Sequence, residues 1–206
     1  MNFMMFRENP GAPGSQRIAA SDIAFDIDGV VADTFRSFVM LAEKEYGIKI
    51  HYEEITEYEF WKILDIDEET AHALIHKLIE QPVEVGIKPV RGAPDVLTRL
   101  LKTGPVKFVT ARPEADSILR WMTEVLGFPD HNGIVLEATG DHERKAQFLV
   151  RENVKYFVED RLETCYLLED ASIVPILFDQ PWNRKPNEFM RVKNWDEISA
   201  LIDWSA

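Results

Sequence analysis

Residues 18–34 read IAASDIAFDIDGVVADT. Apolar residues alternate and then concentrate towards Phe25, and the run meets the turn-forming pair Asp28-Gly29, so the segment reads as a buried strand ending at a loop. The next stretch, TFRSFVMLAEKEYG (34–47), puts Phe35, Phe38, Val39, Leu41 and Ala42 at helical spacing. It stops at Gly47, a residue suited to the left-handed position after a helix. Strand, tight loop and helix follow one another directly.

The rest of the chain repeats that alternation after one interruption. Residues 50–88 contain no convincing strand and are dense in Glu, Tyr and Trp; Asp67-Glu68-Glu69 makes a helix start, and Ala71, Leu74, Ile75, Leu78 and Ile79 form its apolar stripe. Then come a helix at about 93–103, a strand PVKFVT (105–110), a helix at about 113–126, a strand GIVLEA (133–138), a helix at about 143–152 and a strand KYFVED (155–160). A last strand SIVPILFD (172–179) and a closing helix WDEISALIDW (195–204) complete the pattern. Strands separated by helices of this length pair in parallel through right-handed crossovers. The expected fold is α/β, a Rossmann-like parallel sheet with helices on both faces and a small helical cap inserted after the first strand. The expected division is a disordered tail at 1–17, rich in Pro, Gly and Ser, a core from 18–33 and 92–206, and a cap at 34–91.

Composition narrows the class of partner. Lys and Arg number 23 against 36 Asp and Glu, a formal net charge of −13. So acidic a chain argues against a nucleic-acid polymer or an anionic membrane, both of which bind through Lys and Arg. A small phosphorylated metabolite remains compatible, because a few local cations or a metal reverse the sign inside one cleft. The single cysteine, Cys165, excludes an intrachain disulfide. With no signal-peptide core and no stretch long enough to span a bilayer, a cytoplasmic protein is expected.

In an open parallel sheet the ligand sits beyond the carboxyl ends of the strands. The polar residues there are Asp26, Asp28 and Asp33 after the first strand, Thr110 and Arg112 after KFV, and Glu159 and Asp160 after KYFV. Oxygen ligands so arranged suit a hard cation such as Mg2+, which holds water and takes few carboxylates. A site of that kind beside Thr, Arg and Lys binds a phosphoryl group. Each residue also has a plainer reading. Asp26 and Asp28 can be turn formers, though an aspartate inside an apolar run is then unexplained. Asp33 can cap a helix, Thr110 can simply end a strand, and Arg112 can pair with a surface acid. Lys145 can be a solvated helix residue, with Arg144 beside it as an alternative. His72 and His76 stand four apart on a helix, but HALIH lacks the glutamate of a zinc-protease motif and reads as a solvated or packed pair.

FDIDGVVADT resembles the first signature of the haloacid dehalogenase-like hydrolase superfamily, Asp-x-Asp-Gly after a strand. The other three follow in order, as Thr110 in VTARP, Lys145 in HERKAQFL and Glu159-Asp160 in VEDR, so that the resemblance covers about residues 20–205. It implies a magnesium-dependent phosphomonoester hydrolase. Asp26 would be the nucleophile and form an aspartyl-phosphate, and Asp28 would be the general acid and base. Mg2+ would be held by Asp26, the backbone carbonyl of Asp28 and Asp160, with Glu159 ligating through water or orienting the other ligands. Thr110 and Lys145 would hold the phosphoryl oxygens, with Arg112 a further phosphate candidate.

Specificity in this superfamily resides in the cap. Tyr58, Phe60 and Trp61 can stack on a nucleobase or form the cap's own core. LFDQPWNR (177–184) and the brief VEDR are similar to bacterial relatives of the 5'(3')-deoxyribonucleotidases, which implies hydrolysis of (deoxy)nucleoside monophosphates. The competing expectations are a phosphatase for a non-nucleotide metabolite and a non-catalytic phosphate-binding protein of the same fold. A homodimer is among the expected assemblies.

Overall fold

A computed structural model describes residues 17–128 and 133–205; the tail expected at 1–17 lies outside the described residues except for Arg17. The elements in chain order are β1 (Ile18–Ala19), β2 (Ile23–Phe25), α1 (Thr34–Tyr46), α2 (Glu68–Glu80), α3 (Ala93–Leu101), β3 (Val106–Thr110), α4 (Asp116–Glu124), β4 (Ile134–Ala138), α5 (Lys145–Arg151), β5 (Tyr156–Glu159), α6 (Leu162–Asp170), β6 (Val174–Phe178), β7 (Met190–Val192), α7 (Trp195–Leu201) and β8 (Ile202–Asp203). Six strands form one parallel sheet in the order β4-β3-β2-β5-β6-β7, and β1 pairs with β8 in a separate parallel pair.

Period-two alternation dresses the two faces of the sheet. Phe25, Phe108, Val158 and Ile176 join a core with Val96, Leu97, Leu100, Ile118, Trp121, Trp195 and Ile198 of α3, α4 and α7. Their strand neighbours Ala24, Val109 and Phe157 face the opposite way, against Phe148 and Leu149 of α5 and Leu168 of α6. The same large core extends into the segment between β2 and β3. There α1 buries Phe35, Phe38, Leu41 and Ala42 and ends at Gly47, whose φ of 68° is the left-handed conformation expected after a helix. In α2 the Asp67 carboxylate accepts from the Thr70 N–H at 2.8 Å, capping a helix that buries Ala71, Leu74 and Leu78.

Two expectations are corrected and one element is added. IAASDIAFDI is not one strand: a 3-10 turn at Ala20–Asp22 divides it, so that Ile18–Ala19 leaves the main sheet to pair with β8. The stretch after Asp160 is helical, α6, whose weakly segregated sequence LETCYLLED hides its period. SIVPILFD is followed by two further strands, β7 and β8, of three and two residues, too short for alternation to show.

Strand order places the site. The chain leaves β2 for β3 and β4 on one side, then returns through α5 to β5 on the other. The crevice at such a switch point lies at the carboxyl ends of β3, β2 and β5, the strands that lead into Thr110, Asp26 and Glu159.

Candidate active site

Asp26 follows β2, and its N–H donates to the Val158 carbonyl at 2.9 Å, which locks it to β5. The chain then turns sharply at Gly29, where φ is 78°. Glu159 ends β5, and Asp160 follows it. One oxygen from each of Asp26, Glu159 and Asp160 lies within 4.8 Å of the others, and all three residues are buried.

The cation among them is Lys145, the first residue of α5 and fully buried. Its Nζ lies 2.8 Å from Asp26 Oδ2 and 2.9 Å from Glu159 Oε2. The other Glu159 oxygen accepts from the N–H groups of Asp160 and Arg161 at 3.1 and 3.0 Å. Both oxygens of Glu159 are therefore engaged, and the residue orients Lys145. Arg144, its neighbour in sequence, is exposed.

Asp28 is held elsewhere. Arg112 forks onto its carboxylate, Nε to Oδ2 at 2.9 Å and Nη2 to Oδ1 at 2.8 Å, and the Thr34 hydroxyl donates to Oδ1 at 2.5 Å. The third arm of the guanidinium, Nη1, reaches the Ile79 carbonyl at 2.8 Å near the end of α2. Asp28 thus lies beside the acidic cluster with its carboxylate turned to Arg112, and Arg112 joins the β3–α4 loop to α2. The Thr110 hydroxyl, buried at the end of β3, accepts from the Arg112 N–H at 3.2 Å. Asp33 takes the position before α1 but makes no capping bond; its carboxylate lies 3.5 Å from Arg36.

Each strand end carries one carboxyl pushed up and one drawn down. Burial and the negative charge of Glu159 hold Asp26 well above the usual carboxylate range, against the pull of Lys145. Burial, with Glu159 and Asp26, does the same to Asp160. Burial also opposes ionisation of Asp28 and Glu159, but Arg112 with the Thr34 hydroxyl at the first, and Lys145 with the Arg161 N–H and nearby charge at the second, together outweigh it, so both lie below their ordinary values. Asp26 and Asp160 are left short of positive charge.

A divalent cation fits that shortage. Asp160 Oδ2 is buried and has no hydrogen-bond partner among the described residues. A Cβ at Gly29 would stand 2.1 Å from the same oxygen, so only glycine leaves that space open. Unpaired anionic oxygen of this kind is what Mg2+ selects.

A cavity of about 250 Å3 opens from this rim. Asp26, Asp28, Thr110, Arg112 and His142 line one side, and Phe35, Phe38, Tyr58, Phe60, Trp61, Ile75, Leu78 and Ile79 form much of the rest. The three aromatic candidates differ. Phe60 is 2% exposed and packs edge-on to Phe38 with centroids 4.5 Å apart, so it belongs to the interior of the inserted segment as well as to the wall. Tyr58 and Trp61 are half-buried. Tyr58 also meets the His142 ring edge-on at 5.5 Å, closing the rim against the wall. Burial and the charge of Lys145 bring His142 down to about 4, so it is neutral at pH 7. His72 packs against Trp61 at 4.9 Å and does not reach the rim. Sequence reasoning missed Thr34 and His142; a hydroxyl six residues after Asp28 was a readable signal for the first, whereas only tertiary structure brings in the second.

A family model described as 5' nucleotidase, deoxy (pyrimidine), cytosolic type C protein matches residues 20–206. The chain is similar to a nucleotidase from Clostridium acetobutylicum, 26% identical over 189 residues, covering 88% of this chain and 93% of that one. It is also similar to the 5'(3')-deoxyribonucleotidase of Bacillus subtilis, 27% identical over 184 residues, covering 87% and 97%. Among solved structures it shares its fold with a HAD-superfamily hydrolase from Ehrlichia chaffeensis, with TM-score 0.54, 14% identity and coverage of 90% and 97%. It likewise shares it with CbbY from Rhodobacter sphaeroides in complex with phosphate, with TM-score 0.52, 16% identity and coverage of 85% and 95%.

Proposed function

The chain belongs to the 5' nucleotidase, deoxy (pyrimidine), cytosolic type C family, a nucleotidase branch of the haloacid dehalogenase-like phosphatases, and from that premise we propose that it hydrolyses deoxynucleoside monophosphates with Mg2+ through an aspartyl-phosphate on Asp26. The observation that carries this reading is the buried Asp26–Lys145–Glu159 chain beside the unpartnered Asp160 oxygen, at the mouth of an aromatic cavity. A volume of about 250 Å3 lies just below the usual span of ligand sites, ~300–1,000 Å3. That suits a single monoester and not a polymer.

In this reading Asp26 attacks phosphorus in line while the nucleoside oxygen departs, and Asp28 gives that oxygen its proton. Asp28 then takes a proton from the water that cleaves the aspartyl-phosphate. The fork from Arg112 keeps Asp28 ionised, the form that accepts a proton, so donation requires it first to turn out of the fork and take up a proton from solvent. Lys145 neutralises Asp26 as the phosphate dianion approaches, and the Thr110 hydroxyl is placed to donate to a phosphoryl oxygen. Asp26, Asp160 and the backbone carbonyl of Asp28 would hold the cation, with Glu159 keeping Lys145 in place. Bound there, Mg2+ supplies charge that offsets repulsion between nucleophile and phosphate and stabilises the transition state. Residues 34–91 act as the cap, presenting Tyr58 and Trp61 to the nucleobase while Phe60 supports them.

The test is phosphate release by the purified protein from deoxynucleoside and ribonucleoside 5'- and 3'-monophosphates, sugar phosphates and small acid phosphates, with Mg2+ and with a chelator. The expected result is Mg2+-dependent release, fastest from deoxynucleoside monophosphates and absent in Asp26→Asn. Faster release from a sugar phosphate would replace the nucleotide reading with a metabolite phosphatase. No release from any ester would favour a phosphate-binding protein.

A further inference from the structure

The loop after β6 contains three buried residues that do not line the cavity yet reach both carboxylate-bearing turns. Gln180 is 8% exposed, Trp182 4% and Asn183 0%. The Gln180 side-chain amide donates from Nε2 to the Gly29 carbonyl at 2.7 Å, just beyond Asp26 and Asp28. Asn183 donates from Nδ2 to the Asp160 carbonyl at 2.7 Å and to the Phe178 carbonyl at 2.7 Å. The two residues are tied to each other: the Gln180 N–H donates to Asn183 Oδ1 at 3.3 Å, and the Asn183 N–H to the Gln180 carbonyl at 3.1 Å. Arg191 of β7 anchors the pair from outside, donating to Asn183 Oδ1 at 2.7 Å and to its carbonyl at 3.0 Å.

Trp182 fills the space between. Its ring would stand 3.3 Å from a Cβ at Gly29, and it stacks on Phe35 of α1 with centroids 3.9 Å apart. The remaining acceptor of the Gln180 side chain, Oε1, receives the Tyr52 hydroxyl at 2.6 Å. One amide therefore holds the Gly29 turn with its nitrogen and the inserted segment with its oxygen.

We propose that Gln180 and Asn183 are positioning residues for the divalent-cation site, clamping the Gly29 and Asp160 carbonyls so that the Asp26 and Asp160 carboxylates stay at ligating separation, and that the Tyr52 hydroxyl couples docking of the inserted segment to this clamp. The inference rests on the reading of Asp26 and Asp160 as cation ligands. The physical need is geometric: two carboxylates that share one small cation must keep a fixed separation, and the two amides tie the carbonyls of the turns that carry them. Neither Gln180 nor Asn183 lines the cavity, so neither touches substrate. Groups that orient ligands from behind typically cost about 10–100-fold in metal affinity when removed.

The experiment is a calorimetric titration of Mn2+ into the full-length protein without substrate, for wild type, Asp160→Asn, Asn183→Ala, Gln180→Ala and Tyr52→Phe, with folding checked by circular dichroism. Asp160→Asn is expected to abolish binding. Asn183→Ala and Gln180→Ala should each raise the Mn2+ dissociation constant roughly tenfold or more, and Tyr52→Phe by a smaller but resolved factor. The Mg2+ concentration for half-maximal phosphate release should rise in step, while the substrate KM at saturating Mg2+ stays within about twofold, a split that general loosening of the fold would not produce. Where Asn183→Ala does not fold, Gln180→Ala and Tyr52→Phe decide. Unchanged Mn2+ affinity in folded Gln180→Ala or Asn183→Ala overturns the clamp, and unchanged affinity in Tyr52→Phe alone overturns the coupling to the inserted segment. A wild type that binds no Mn2+, or an Asp160→Asn that binds normally, overturns the site reading itself and the clamp with it.

Discussion

The rim and the wall of the cavity are built on opposite principles. The rim is made by ends of core strands and holds Asp26, Glu159, Lys145 and Arg112 buried, with Asp28 half-buried, in paired arrangements, each cation serving two partners. The wall comes largely from the segment between β2 and β3 and is aromatic and aliphatic, with Tyr58 and Trp61 only half-buried. A buried charge pair is intolerant of losing one member, because that leaves the other stranded. Apolar contact is additive and forgiving. On the proposed reading, chemistry common to every substrate belongs to the rim, and choice among substrates to the wall.

The largest effect expected from that division is at Asp26. Asp26→Asn should lower kcat by at least about a thousandfold on every ester that the wild type hydrolyses; a variant that lost activity on nucleotides only would assign the residue to recognition and break the contrast. Next is Lys145→Met, which leaves Asp26 and Glu159 facing each other without a cation. Removing one partner from a buried pair costs about 3–5 kcal/mol, to be read as a drop in chemical-denaturation stability together with lost turnover. Unchanged stability would show that the two carboxyls protonate and share a hydrogen bond instead.

On the wall, Trp61→Ala should raise KM for a deoxynucleoside monophosphate roughly tenfold, given stacking worth ~1–3 kcal/mol per base, while kcat and the KM for a small acid phosphate change little. An equal loss on both substrates would place Trp61 in support of the rim. The effect confined to acid pH is expected where the two regions meet, at His142. Its folded value of about 4 lies below the ordinary value of about 6.5, so the unfolded chain binds the proton more readily. Its contribution to stability is complete above pH 6.5 and is lost as pH falls from there towards 4. Melting temperature should decline less steeply over that interval in His142→Gln than in wild type.

The rim was far more legible in the sequence than the wall. Asp26, Thr110, Glu159 and Asp160 each follow a run of apolar residues, and a polar group at the end of a buried strand can be placed without knowing anything else about the fold. Lys145 was readable only through the resemblance of HERKAQFL to a superfamily signature, because a lysine on a helix is ordinarily solvated. What their side chains contact was not readable. Arg112 satisfies Asp28 and the end of α2 at once, across separations of 84 and 33 residues. Nothing near VTARP encodes either partner. Tyr58, Phe60 and Trp61 looked alike because aromatic residues pack or line cavities with the same chemistry; only the positions of Phe35 and Phe38 send Phe60 inward. The side chains of Gln180 and Asn183 were invisible for the opposite reason, since amides after a strand normally mark a turn. β1 and β8 escaped because two residues cannot display a period.

The small pair formed by those two strands has a topological consequence. Ile18 lies beside Ile202 and Ala19 beside Asp203, so the described chain returns almost to its starting point and traces a nearly closed ring. A linker of about six Gly and Ser residues, spanning ~12–15 Å, is long enough to join Trp204 to Arg17. A circular permutant opened at the exposed Lys102–Thr103 turn, which lies between α3 and β3, would keep every strand beside its present neighbour and begin its synthesis with β3.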